Sequence, residues 1–196
     1  RILQKLRELD LHENTLVIFS SDNGSYSEGG YHFSMLDSNA PYRGGKRDLY
    51  DGGIRVPTIA WWPGTIRAGS RSDHLSAFWD FPATALELAG LDRPDSMDGI
   101  SYLPTLLGQS AAQANHDYLY WEFHARGGRQ AVRYGDWKGV RLNFFEDPYA
   151  PLELYDLSVD PGEENDVASM HPDVVAKINA FMREAHIPNE NFSIYE

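Results

Sequence analysis

The chain of 196 residues, 42% hydrophobic and 13% aromatic, can fill a core and is not globally disordered. It is sized for one domain or a domain plus a small appendage. It has no cysteine, which excludes disulfides and thiolate-held metals, and no apolar run approaches the roughly 18 residues of a membrane span. Of its net charge of −12, −10 lies in residues 142–196, so the chain is poorly suited to nucleic acid, and the basic cluster at 43–47 is the place best suited to meet an anion.

Ile2, Leu3, Leu6 and Leu9 fall on one helical face that ends near Asp10. No basic-then-apolar leader opens the chain, and Arg1-Ile2-Leu3 reads as already helical. Leu16-Val17-Ile18-Phe19, within a strand over 15–20, is a continuous apolar run that predicts cover on both faces and parallel neighbours. Residues 24–50 form a long stretch rich in Gly, Ser and Asn, more than a connector needs. A second strand is expected over 55–62, placed at an edge or at its own start by Pro57 and closed by Pro63-Gly64. A helix follows over 81–88, with Pro82 in its first turn and Gly90 as its stop.

The composition shifts at 108–117, which reads as a polar linker. Beyond it, short aromatic strands are predicted at 118–123, 130–134 and 137–142, separated by Gly127-Gly128 and by the two-residue turn Gly135-Asp136. Residues 152–157 add a fourth strand. A closing helix from about Pro172 presents Val174, Val175, Ile178, Phe181, Met182 and Ala185 on one face. Four strands and one amphipathic helix make a small α+β subdomain with an antiparallel sheet.

The chemistry concentrates at Ser21-Asp22-Asn23-Gly24, directly after the first strand, where open α/β sheets place ligands. A carboxylate beside an amide oxygen is a pair of hard donors suited to Ca²⁺ or Mg²⁺. Taken alone, Asp-Asn-Gly marks an ordinary turn. Arg43-Gly44-Gly45-Lys46 supplies a cation for an anionic ester, and its glycines let the backbone approach a ligand closely.

In order along the chain stand SDNG, RGGKRDLYDGGIRVP, WWPG, DFPATALELAG and ELYDLSVDPGEENDVA. From about Thr15 to the C-terminus the chain resembles the type I, formylglycine-dependent sulfatase family of the alkaline-phosphatase superfamily. The resemblance implies an α/β fold: residues 1–110 the C-terminal portion of a sulfatase-type α/β domain, residues 111–196 the α+β subdomain with its four-stranded antiparallel sheet and C-terminal helix. It implies hydrolysis of a sulfate ester, on a sugar or polysaccharide, with Asp22 and Asn23 as calcium ligands and Lys46 contacting the sulfate. The family's nucleophile is a formylglycine made from Cys or Ser in a C/S-x-P-x-R motif, and its hydrated aldehyde attacks sulfur.

That motif has no match here. Asn39-Ala40-Pro41-Tyr42-Arg43 mimics it, but Asn39 cannot become an aldehyde. The paired aspartates that open the family's sequence, and its upstream lysine and histidines, are also missing. The chain is therefore expected to be inactive alone, with the N-terminal part of the same enzyme as its partner, and to be sticky or oligomeric without it. The family points to a periplasmic or secreted setting, which the residues themselves do not decide. His32, Glu122, His124 and Arg126 are expected substrate contacts: His32 in the long loop, the other three at or just past a strand end facing the pocket mouth. Arg43 and Arg47 read as pins for Asp48 or Asp51, and His12, His116, His171 and His186 as surface residues. Two alternatives stand beside the sulfatase: a phosphatase or phosphodiesterase of the same superfamily, and a non-catalytic binding remnant.

Overall fold

The computed structural model describes residues 1–26 and 35–190. Two compact units emerge that do not follow chain order: Arg1–Ser20 with Thr58–His116, and Ser21–Pro57 with the chain from Asp117 onward.

The first unit contains helix α1 (Ile2–Glu8) and strand β1 (Val17–Ser20). An excursion over residues 21–57 follows, carrying the single turn α2 (Asp51–Ile54) of the second unit. The chain then returns as β2 (Thr58–Trp61), and the first unit continues with α3 (Asp80–Leu88) and α4 (Leu103–Leu106). Strand β1 pairs antiparallel with β2 and with no other strand among the described residues, from Val17 opposite Trp61 to Ser20 opposite Thr58. The expected double cover is therefore absent: the cross-strand partners Phe19 and Ile59 are 64% and 60% exposed. Asp80 organises the helical part. Its buried carboxylate accepts the N–H groups of Ala77 at 2.7 Å and Ile100 at 2.8 Å and lies 2.8 Å from His116 Nε2. Burial pushes this carboxyl's pKa up, but the His116 and backbone hydrogen bonds outweigh it and hold the pKa below the ordinary value. His116, expected at the surface, is thus largely buried.

The second unit holds β3 (Leu119–Phe123), β4 (Arg129–Tyr134), β5 (Trp137–Leu142) and β6 (Leu152–Asp156), followed by α5 (Pro172–Ala185). The strands form one antiparallel meander in the order β3-β4-β5-β6. Alternation along the strands separates two cores. Val132, Leu152 and Leu154 pack against Ile178 and Met182 of α5, with Val174, Val175 and Phe181 around them. On the opposite face, Ala131, Val140, Tyr155 and Leu157 pack against Leu49 and Tyr50 of the excursion. The sheet is therefore covered by a helix on one side and by the lysine-bearing segment on the other. Truncating Ile178, which is fully buried, to alanine should cost the second unit about 2–5 kcal/mol. Urea unfolding followed by tryptophan fluorescence checks this.

Candidate functional site

The excursion folds back on itself through backbone contacts that only glycine permits. Gly24 N–H donates to the Gly53 carbonyl at 2.8 Å, and Gly52 N–H to the Arg43 carbonyl at 2.8 Å. A Cβ at Gly24 would overlap the Gly52 carbonyl oxygen, and one at Gly53 would overlap the Asp48 carbonyl oxygen. Lys46 N–H donates to the Ser25 carbonyl at 2.8 Å, which ties the lysine turn to the segment carrying Asp22 and Asn23.

These closures bring Asp22, Asn23 and Lys46 to the wall of one cavity of about 700 Å³. Arg55, Tyr26 and Tyr42 line it too, and the sequence reading did not single them out. Lys46 Nζ lies 5.1 Å from the Tyr26 ring centroid, and the Arg55 guanidinium 4.6 Å from that of Tyr42. The carboxylate of Asp22 and the amide oxygen of Asn23 fit a Ca²⁺ ion by donor chemistry. Among the described residues no group of three or more His, Cys, Asp or Glu could hold a metal, so Asp22 and Asn23 would need further donors to hold one.

The lysine turn is braced from the sheet. The Asp48 carboxylate accepts Gly45 N–H at 3.0 Å, receives Arg126 Nη1 at 3.3 Å and forms a short ion pair with Arg129 Nη1. Asp48 is thus pinned by Arg126 and Arg129. Arg43 donates to the Tyr155 hydroxyl at 2.9 Å and the Glu163 carbonyl at 3.0 Å, and stacks over Tyr50 with its guanidinium carbon 4.0 Å from the ring centroid. Burial, and then hydrogen bonds to Glu153, push the Tyr50 and Tyr155 phenols far above their ordinary pKa, so both stay protonated donors.

Deeper still lies a charged triad. Lys138 Nζ, fully buried on β5, sits 2.8 Å from Asp51 Oδ1 and 3.4 Å from Glu163 Oε1. Glu163 Oε2 accepts the Asp51 N–H at 2.6 Å. Burial pushes the Asp51 pKa up, but Lys138, with help from Arg133 and Arg55, more than reverses it and leaves the group below its ordinary value. Glu163 goes the other way: burial, its largest cause, outweighs the pull of Lys138 and of the Asp51 amide, and the Asp51 charge adds to the rise. The nearer carboxylate takes the better share of one ammonium.

The remaining expected contacts lie elsewhere. Glu122, His124 and Arg126 are not among the residues lining the cavity. Glu122 receives the Tyr120 hydroxyl in a short bond and lies 2.7 Å from His186 Nδ1 and 3.2 Å from His124 Nε2. His186, expected at the surface, is buried against this carboxylate. The His124 ring stacks on Phe145 at 5.9 Å. His32 lies outside the described residues.

Comparison with known proteins sets this chain among the sulfatases. The chain is 31% identical to N-acetylgalactosamine-6-O-sulfatase of Bacteroides thetaiotaomicron, over 92% of this chain and 38% of that protein. It is 41% identical to N-acetylgalactosamine-6-sulfatase of Homo sapiens, over 83% of this chain and 35% of that one. Its fold matches Ps i-CgsB, solved in complex with k-i-k-neocarrahexaose, with a TM-score of 0.77 at 26% identity, over 93% of this chain and 39% of the other. The chain thus spans well under half the length of the proteins it matches. It belongs to the family described as N-sulphoglucosamine sulphohydrolase, C-terminal, whose profile matches residues 44–187.

The triad should set its own mark on the pH dependence of stability. Asp51, with its pKa depressed, contributes stability that is present above its ordinary value of 3.8 and lost as pH falls through its lower folded value. Glu163, with its pKa raised, favours the fold below its ordinary 4.5, a contribution lost as pH rises through its folded value. Asp51→Asn should therefore lose about 3–5 kcal/mol at neutral pH and no longer show the acid-side decline attributed to Asp51. Glu163→Gln should flatten the profile above 4.5. Urea titrations across pH 2–8 check both, that range being about where these carboxylates can titrate.

Proposed function

We propose that this chain is the C-terminal part of a sulfatase that hydrolyses a sulfate ester on a sugar or polysaccharide. The observation that carries the reading is the convergence of Asp22, Asn23 and Lys46 on one cavity wall. Asp22 and Asn23 offer two hard oxygens of a Ca²⁺ site, with Mg²⁺ as the alternative ion. The bound cation would draw electron density from the sulfate oxygens. Lys46 places a positive charge where the ester oxygens gain negative charge as the S–O bond breaks, the role this chain contributes to catalysis. The formylglycine nucleophile belongs to a part of the enzyme outside this sequence, so the chain alone is inactive.

Two named relatives act, by their names, on N-acetylgalactosamine 6-sulfate, and the matched structure holds an oligosaccharide. These support a sulfated glycan as substrate. Residues 1–110 complete the catalytic α/β domain and 111–196 form its C-terminal subdomain. Arg126, with its side chain about half exposed, is a proposed sugar contact; His32, Glu122 and His124 complete that set. The exposed Phe19–Ile59 pair marks the face that the N-terminal part of the same enzyme covers.

The test is sulfate release from N-acetylgalactosamine 6-sulfate and from an aryl sulfate by the full-length protein carrying this chain. Turnover that chelation abolishes and Ca²⁺ restores is expected. Lys46→Ala should lower kcat about 10²–10³-fold. Cleavage of phosphate esters with none of sulfate esters would overturn the assignment. For the isolated chain, sedimentation should show concentration-dependent self-association, reduced when Phe19 and Ile59 are both changed to lysine.

A further inference from the structure

The triad and the cavity wall are linked by a short, continuous set of bonds. Asp51 opens α2, and its N–H and carboxylate are held by Glu163 and Lys138 respectively. Within the same turn the Gly53 carbonyl receives Gly24 N–H, next to Asn23. The Ser25 carbonyl then receives Lys46 N–H. Arg55, at the end of the same turn, reaches Asp51 Oδ2 at 3.4 Å and lines the cavity. The three triad members come from three separate places: the excursion, an inner strand of the sheet, and the segment after β6. Their meeting holds the first residue of α2 from two sides.

Stability alone gives no reason for burying these charges. A buried ion pair replaced whole by well-packed apolar residues is often neutral or better. What charged hydrogen bonds add over apolar packing is direction. We propose that Lys138, with Asp51 and Glu163, is a positioning residue for the reaction assigned above: the triad fixes α2, and α2 sets the backbone that carries Asp22, Asn23 and Lys46. The C-terminal sheet is thereby part of the catalytic apparatus rather than an appendage. The meaning for catalysis rests on the sulfatase assignment; the geometric claim is testable without it.

The test is residue-resolved hydrogen exchange on the 196-residue chain and on two variants, Lys138→Met and Glu163→Gln. The second keeps nearly the same shape but leaves the Asp51 N–H and Lys138 a neutral, weaker partner in place of the carboxylate, so it decides the question if the first fails to fold. Exchange at the Gly24 and Lys46 amides should rise about tenfold or more, while the sheet partners Ala131 and Val140 change little. In the full-length protein, kcat should fall at least tenfold in Glu163→Gln with Tm and KM little changed. Unchanged exchange at Gly24 and Lys46, or an equal rise throughout the second unit, overturns the proposal, and so does a loss of activity that only tracks lost folded protein. If the unsubstituted full-length protein releases no sulfate, the functional assignment fails by itself, and the exchange rates still decide the positioning claim.

Discussion

A single ammonium, that of Lys138, is shared inside the second unit between Asp51 and Glu163, and all three residues are buried. Unpaired, any one of these charges would be severely destabilising. The arrangement holds only while all three segments are in place, which makes it a condition on the fold as much as a contact within it. The excursion cannot leave the sheet without taking the nearer carboxylate from Lys138. The segment after β6 cannot shift without releasing the Asp51 amide.

The apolar contacts of the second unit are consistent with this. The four-stranded sheet has two faces to cover, and α5 covers one of them. Leu49 and Tyr50 supply the second cover, so the segment that bears Lys46 is also a wall of a hydrophobic core. A segment in that position is anchored by buried area as well as by charge. The cavity residues are then displayed by a braced scaffold, with Arg126 and Arg129 gripping the Asp48 end of the lysine turn.

The subdomain was legible in the sequence because its signals are periodic. Short aromatic runs punctuated by Gly127-Gly128 and Gly135-Asp136 placed β3 to β6 to within a residue or so, and the helical spacing of Ile178 and Met182 gave the buried face of α5. The turn α2 was not legible. Asp-Gly-Gly-Ile is poor helix sequence, and it turns because glycine allows close backbone approach and Glu163 accepts its first amide. Lys138 was equally hidden, since a lysine in a strand reads as solvated until its carboxylates arrive from residues far away. His116 and His186 misled for the same reason, their partners Asp80 and Glu122 being 36 and 64 residues off. For the candidate site, the motif chemistry named Asp22, Asn23 and Lys46, but that they share a cavity with Arg55, Tyr26 and Tyr42 is a property of the folded excursion.

The ends of that excursion meet. Ser20 and Thr58 face each other across the β1–β2 pair, and their hydroxyls are 3.1 Å apart. The loop is therefore closed at its root by a rung of sheet, and the entropy of bringing its ends together is met there. For a loop already closed, added length is cheap: each doubling costs only about 0.6 kcal/mol. Evolution could lengthen or rewrite the tip of such a loop without moving either strand, and could vary the shape of the pocket while the anchoring charges stayed fixed.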